Sequence, residues 1–187
     1  MIATPNSQPL TPEQYLQLEA SSDIKHEYRD GEIYAMAGTT DSHNVITGNL
    51  YTLMRNRLRN SDCRVYFADV QARLEACNCF YYPDLMVTCD ARDRETSTYK
   101  RYPKLIVEVL SDSTEAFDRG DKFIDYQTLD SLEEYVLISC KLQRVDCYRR
   151  TEKGLWVFQF YTPRQERFRL LSIGLEATFR ELYEDVF

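Results

Sequence analysis

Two short runs, Leu85-Met86-Val87 and Leu105-Ile106-Val107, are apolar at every successive residue. Side chains on a strand alternate between its two faces, so a strand with one wet face reads apolar and polar in turn. Unbroken runs belong to strands covered on both sides. Tyr135-Val136-Leu137-Ile138 has the same character. A chain with such strands places further layers above and below a central sheet. Helical segments lie before and between these runs, so the expected class is α/β or α+β, a central mixed β-sheet flanked by helices. With 187 residues the chain suits one domain. No Gly/Ser linker, internal repeat or block of like charge marks a boundary. The expected layout is a loose tail over residues 1–10 and a single domain over 11–187.

The helical segments have readable ends. Thr11-Pro12-Glu13 opens a helix that runs to about Ala20, with Thr11 as cap and Pro12 in the first turn. Asp30-Gly31 separates two short extended segments, His26 to Arg29 and Glu32 to Met36, and predicts a hairpin. From His43 to Asn60, Ile46, Leu50, Leu53, Met54 and Leu58 share one helical face, and Asp41 or Ser42 can cap the start. Arg55, Arg57 and Arg59 fall near the negative end of that helix, where cations are favourable. Arg64–Phe67 and Val70–Glu75 read as a strand pair, followed by strands over Tyr81–Thr88 and Lys104–Leu110. The polar stretch Asp90–Tyr102 reads as a long mobile loop. A helix is expected over Arg119–Leu129 and a buried strand over Glu134–Ser139. Arg144–Arg149, Leu155–Tyr161 and Phe168–Leu171 alternate like an antiparallel C-terminal meander. Thr178-x-x-Glu181 has capping-box spacing and opens a short final helix.

Composition narrows the function classes. No stretch approaches the length of uncharged apolar chain that spans a membrane. Met1 to Leu10 has no basic start and no apolar run, so the expected compartment is the cytoplasm. The charge balance, 23 − 30 = −7, argues against general sequence-independent nucleic-acid binding, though a locally basic cleft is compatible with it. Cysteines at 63, 77, 79, 89, 140 and 147 read as free thiols in that compartment. Cys77 and Cys79 would share a face of a strand. With no C-x-x-C pair, and His26 and His43 as the only histidines, a structural zinc site has poor support.

Chemistry gathers at the two buried runs. Tyr82-Pro83-Asp84 leads directly into the first, and Glu108 interrupts the second, Val107-Glu108-Val109-Leu110. A carboxylate there is costly unless paired, protonated or bound to a cation. Asp84 and Glu108 on neighbouring strands could hold one hard divalent ion through oxygen ligands; the alternative is separate ion pairs, Glu108 with Lys122 for example. Lys122 lies early in the following helix, where it either pairs with Asp118 one turn back or points at the two carboxylates.

Pro83-Asp84 followed by Glu108 resembles the PD-(D/E)XK nuclease signature. More closely, the chain resembles the Uma2 family of restriction-endonuclease-like proteins. The resemblance is carried by Glu27-Tyr28-Arg29-Asp30-Gly31-Glu32-Ile33-Tyr34-Ala35-Met36, by His43 opening a helix, by Tyr82-Pro83-Asp84 and by Glu108-Val109-Leu110-Ser111. Asp118 to Tyr126, Glu134 to Ile138 and Gly174-Leu175-Glu176 also fit. It implies a restriction-endonuclease-like fold with an α-β-β-β-α-β core. The signature expects a lysine where Leu110 stands; the family supplies it from the next helix, at the position of Lys122. The resemblance further implies that Asp84 and Glu108 bind Mg²⁺ or Mn²⁺ and that Lys122 positions the attacking water. Glu27 would complete the metal shell or act as a base, the alternative being an ion pair with Lys25 or Arg29. His43 and Gln71 would be auxiliary contacts, the alternatives being a solvated first-turn histidine and a partly exposed strand glutamine. The implied function is a metal-dependent endonuclease acting on DNA. A single domain of this size would need a homodimer to cut both strands symmetrically, and the meander after residue 140 offers edge strands for such pairing. The competing expectation is a nuclease-like scaffold that binds protein or nucleic acid without catalysis.

Overall fold

The computed structural model describes residues 9–36 and 38–186. Helix α1 (Pro12–Ser21) begins with a reciprocal cap: the Thr11 hydroxyl accepts from the Gln14 amide, and the Gln14 side chain accepts from the Thr11 amide. Strands β1 (His26–Arg29) and β2 (Glu32–Ala35) form the hairpin around Asp30-Gly31, both at positive φ. Gly31 has φ of +99°, and a Cβ there would lie 2.6 Å from Pro9 Cβ, so both conformation and space demand glycine. The Leu10 amide donates to Gly31 O at 2.9 Å, and the Tyr28 hydroxyl to Leu10 O at 2.8 Å. Residues 9 and 10 are therefore fastened to the hairpin rather than loose; residues 1–8 of the expected tail lie outside the described residues.

Helix α2 (Asp41–Arg57) buries Ile46, Leu50 and Met54 along the predicted face. Its cap is Thr40, not Asp41 or Ser42: Thr40 Oγ1 accepts from the His43 amide at 3.3 Å. The remaining strands are β3 (Arg64–Phe67), β4 (Gln71–Leu74), β5 (Cys79–Tyr81), β6 (Leu85–Thr88), β7 (Tyr99–Lys100), β8 (Pro103–Leu110), β9 (Glu134–Ser139), β10 (Val145–Arg150), β11 (Trp156–Tyr161), β12 (Arg167–Leu170) and β13 (Leu175–Thr178). The further helices are α3 (Glu115–Arg119), α4 (Asp121–Tyr126) and α5 (Phe179–Leu182).

The central sheet has the order β11-β10-β9-β8-β6-β3, with β8 and β9 parallel and the other pairs antiparallel. The two apolar runs are neighbours in its middle. Leu85, Val87, Leu105, Val107 and Val109 join one core with Ile46, Leu50 and Met54 of α2. Met86, Ile106 and Leu110 join a second core with Leu74, Tyr81 and Tyr126. A second sheet, β2-β1-β5-β4-β7, and helix α4 supply that other cover. The fold is thus α+β around a mixed sheet, as the unbroken runs require. Among the described residues no helix is long and apolar enough to cross a membrane.

Several elements differ from the sequence reading. Arg64–Phe67 does not pair with the strand that follows; β3 pairs with β6, while β4 pairs with β5 and β7 in the other sheet. The expected strand Tyr81–Thr88 is broken at Tyr82-Pro83-Asp84, because a proline cannot donate to a ladder, and its halves lie in different sheets. The β3–β6 register sets Arg64 opposite Thr88, so Cys63 and Cys89 flank the pair and form a disulfide; these two are not free thiols. The segment Asp90–Tyr102 is not a plain loop: it holds a helical turn over Ala91–Arg94 and strand β7. Asp93 is buried, and its carboxylate accepts from the Thr88 hydroxyl and the Arg101 and Tyr102 amides. The expected helix Arg119–Leu129 is confined to α4, Asp121–Tyr126; Gly120, whose ψ of −104° is not helical, separates it from α3. In the meander, β10 and β11 extend the central sheet, but β12 leaves it to pair with β13. The final capping box forms, with Thr178 and Glu181 bonded reciprocally.

Candidate active site

The β6–β8 register pairs Leu85 with Val107, and one further step sets Asp84 opposite Glu108. Glu108 and Ile106 share a face of β8, so the Glu108 carboxylate projects toward α4 and the second sheet, whereas Asp84, in the bend before β6, turns toward His43 at the start of α2. Asp84 Oδ2 accepts from the Val109 amide at 2.7 Å and lies 3.1 Å from His43 Nε2. Glu108 Oε2 accepts from the Asp84 amide at 3.3 Å. The two carboxylates are therefore braced by each other's strands.

Helix α4 brings Lys122 onto this pair. Its Nζ lies 3.0 Å from Glu108 Oε1, 3.1 Å from Glu27 Oε1 and 3.6 Å from Asp118 Oδ1. Lys122 thus makes both of the ion pairs considered for it, with Asp118 and with Glu108, while Asp84 meets His43 instead. Glu27 comes from β1 and also accepts from the Tyr82 amide at 3.0 Å; neither Lys25 nor Arg29 is its partner. Lys25 pairs with Asp69, and Arg29 pairs with Asp121 and Asp125. Tyr126, one turn beyond Lys122, donates its hydroxyl to Glu108 Oε1 at 3.1 Å. The sequence reading passed over Tyr126, although its i+4 spacing from Lys122 places both on one helix face.

Burial governs the electrostatics. It pushes Glu108 well above the usual carboxylate range, against the pull of Lys122, and raises Asp118 as well. Burial also opposes the charge on Lys122, but Glu108 and Glu27 outweigh it and hold the ammonium well above its ordinary value. His43 is likewise opposed by burial, yet its hydrogen bond to Asp84 raises it overall.

Glu27, His43, Asp84, Glu108, Asp118 and Lys122 all line one cleft of about 810 Å³. Gln71 does not. It is buried, not partly exposed as a strand glutamine was expected to be, and its amide donates to the Tyr15 hydroxyl beneath the second sheet. The arginines at the end of α2 do not line the cleft; Arg57 Nε donates to Gly174 O at 2.7 Å and ties α2 to the C-terminal hairpin.

The donor set suits a small hard ion. Asp84 and Glu108 offer oxygen ligands, and Asp84 keeps 24% of its side chain exposed to the cleft. Among the described residues, no three His, Cys, Asp or Glu donors converge here into a closed cage. Mg²⁺ is commonly bound in that open way, by one or two carboxylates with waters and phosphate completing its octahedron.

A mixed α+β sheet with paired carboxylates at its central strands and a lysine from the next helix defines a nuclease-like fold. The chain belongs to the Uma2 family, described as "Putative restriction endonuclease", whose model matches residues 12–180. It is 41% identical over 186 residues to an uncharacterized protein of Synechocystis sp., covering 98% of this chain and 97% of that protein. A second uncharacterized Synechocystis protein is 31% identical over 159 residues, covering 84% of this chain and 90% of its own. The fold is also that of a crystal structure described as a "putative nuclease belonging to DUF820" from Anabaena variabilis. The TM-score is 0.79 at 15% identity, covering 96% of this chain and all of that one.

Proposed function

We propose that the protein is a divalent-metal-dependent endonuclease that hydrolyses phosphodiester bonds, with DNA as its substrate and the cytoplasm as its compartment. The observation that carries this reading is the convergence of Asp84, Glu108 and Lys122 in one cleft, from two adjacent strands and the helix that follows. Asp84 and Glu108 are the metal ligands, for Mg²⁺ or Mn²⁺. A divalent ion held there supplies charge to neutralise the phosphate and lowers the pKa of a bound water.

The protein's own groups take the remaining roles. Lys122 stays protonated beside Glu108 and Glu27, so it acts as a fixed cation and hydrogen-bond donor, not as a base. It orients the attacking water and stabilises negative charge developing on the phosphate. Glu27 completes the metal shell or takes the water's proton. His43, raised in pKa by Asp84, faces the phosphate as a donor. Gln71, bonded away from the cleft, is left with a structural role. Symmetric cleavage of both strands calls for a homodimer. The exposed edge strand β11, with Val157, Phe158 and Phe160 open to solvent, is the surface assigned to that pairing.

One observation favours the non-catalytic scaffold: both oxygens of Glu108 already have protein partners, Lys122 and Tyr126 on one and the Asp84 amide on the other. The deciding experiment is Mn²⁺-dependent cleavage of single- and double-stranded DNA and RNA by wild type and Glu108→Ala, purified side by side. Cleavage of DNA by wild type alone supports the nuclease. Equal cleavage by both identifies a contaminant, and no cleavage by either favours the scaffold.

A further inference from the structure

Outside that cleft, the spacing Cys77-Asn78-Cys79 gains a third partner in the fold. Cys77 lies in the β4–β5 turn, Cys79 opens β5, and α4 brings Asp125 against them. One donor atom from each, two sulfurs and a carboxylate oxygen, lies within 4.8 Å of the other two. No other three His, Cys, Asp or Glu donors among the described residues converge as closely. Zinc–sulfur bonds are about 2.3 Å and zinc–oxygen bonds about 2.0–2.2 Å, so tetrahedral donors stand roughly 3.3–3.8 Å apart. The three groups thus need to close by only about 1 Å to grip such an ion.

The surroundings fit an ion as well. Cys79 and Asp125 are buried while Cys77 is half-buried, which leaves a way in from solvent. The thiols make contacts that are easily given up: Cys79 Sγ to Cys77 O at 3.1 Å and Cys77 Sγ to Leu74 O at 4.0 Å. Two thiolates and a carboxylate exceed a doubly charged ion by one negative charge. The Arg29 guanidinium, 3.2 Å from Asp125 Oδ2, offsets that excess. The Tyr81 hydroxyl donates to the same oxygen at 2.6 Å and fixes the carboxylate's orientation.

We propose that Cys77, Cys79 and Asp125 bind one divalent ion of the zinc class, with water completing the tetrahedron, and that the ion clamps the β4–β5 turn to α4. The thiolates set this site apart from the all-oxygen pair Asp84 and Glu108, which suits a harder ion. The sequence alone lends such a site poor support, since it has no C-x-x-C pair and the third ligand comes from a distant helix.

Cobalt is the probe, because thiolate coordination to tetrahedral Co²⁺ gives sulfur-to-metal charge-transfer and intense d–d absorption that an oxygen site does not. The full chain, titrated anaerobically, is expected to develop these bands to one equivalent, and Zn²⁺ is expected to bleach them. Cys77→Ser, Cys79→Ser and Asp125→Asn should each lose or strongly weaken the bands, whereas Cys140→Ser and Asp84→Asn should keep them. Because a ligand variant can misfold, wild type is also alkylated at Cys77 with iodoacetamide. Zn²⁺ should slow that reaction at least tenfold, and a chelator should restore it. Absence of the bands in wild type, their persistence in Cys77→Ser, a Cys77 alkylation rate indifferent to Zn²⁺, or a Cys77–Cys79 disulfide in place of the two thiols would each overturn the proposal.

Discussion

Lys122 Nζ lies 3.0 Å from Glu108 Oε1, joining the first turn of α4 to the carboxylate that interrupts β8, and both side chains are buried. Glu27 and Asp118 share the same ammonium. Replacing one partner of such a set leaves charge buried without compensation, which costs about 3–5 kcal/mol. Lys122→Met is therefore expected to lower the unfolding free energy from urea melts by that amount at pH 7, seen as a lower midpoint with an unchanged m-value. Adding Glu108→Gln to it should recover part of the loss. A wild-type midpoint for Lys122→Met would show that the lysine does not neutralise the cluster.

Asp84→Asn separates metal binding from folding. The asparagine carbonyl can still accept from the Val109 amide, so the metal-free protein should melt close to wild type. Wild type at about 100 times the dissociation constant for Mn²⁺ gains roughly 2.7 kcal/mol. The variant is expected to gain almost nothing and to cleave at least 100-fold more slowly. Undiminished Mn²⁺ binding by calorimetry in Asp84→Asn would remove this residue from the metal site.

Local chemistry and periodicity made much of the fold legible. Thr11, Asp30-Gly31 and Thr178-x-x-Glu181 act through neighbours a few residues away, and each does what its residue types dictate. The consecutive apolar residues of β6 and β8 gave the two-sided burial, and with it the positions where a carboxylate would be conspicuous. Strand pairing was not legible in the same way. Val65 and Ala72 look alike as strand residues, yet they enter different sheets, because Pro83 stops β5 from running into β6. The Cys63–Cys89 disulfide was missed for the same reason, since it depends on β3 finding β6. At the site, Asp84, Glu108 and Lys122 stood out as charges beside apolar runs. Tyr126 did not, because a tyrosine on an apolar helix face reads as core until its hydroxyl is seen to reach Glu108.

The disulfide closes a loop with a sequence separation of 26 between Cys63 and Cys89. Loop-closure entropy for a segment of that size is worth about 3.5 kcal/mol in the chain-entropy model. Reduction with a strong thiol reagent, or the double change Cys63→Ala and Cys89→Ala, should lower stability by roughly 2–4 kcal/mol in urea unfolding. A midpoint indifferent to reductant would mean that the β3–β6 pairing is held by its ladder and packing alone.

Cys140 offers a reporter inside the cleft. Burial pushes its thiol up to about 11, and the negative charges of Asp84 and Asp112 add to the shift. At pH 8 only about 0.1% is then thiolate, the nucleophilic form, so alkylation should be slow and should quicken about tenfold per pH unit toward 11. A cation held at Asp84 cancels the carboxylate's field, which lowers the thiol pKa and raises the thiolate fraction. Saturating Mg²⁺ at fixed pH 8 is therefore expected to speed alkylation of Cys140, as is Asp84→Asn without metal, and the two effects should not add. Peptide mapping by mass spectrometry follows this site separately from the other cysteines. Mg²⁺ acceleration that persists undiminished in Asp84→Asn would place the ion elsewhere in the cleft.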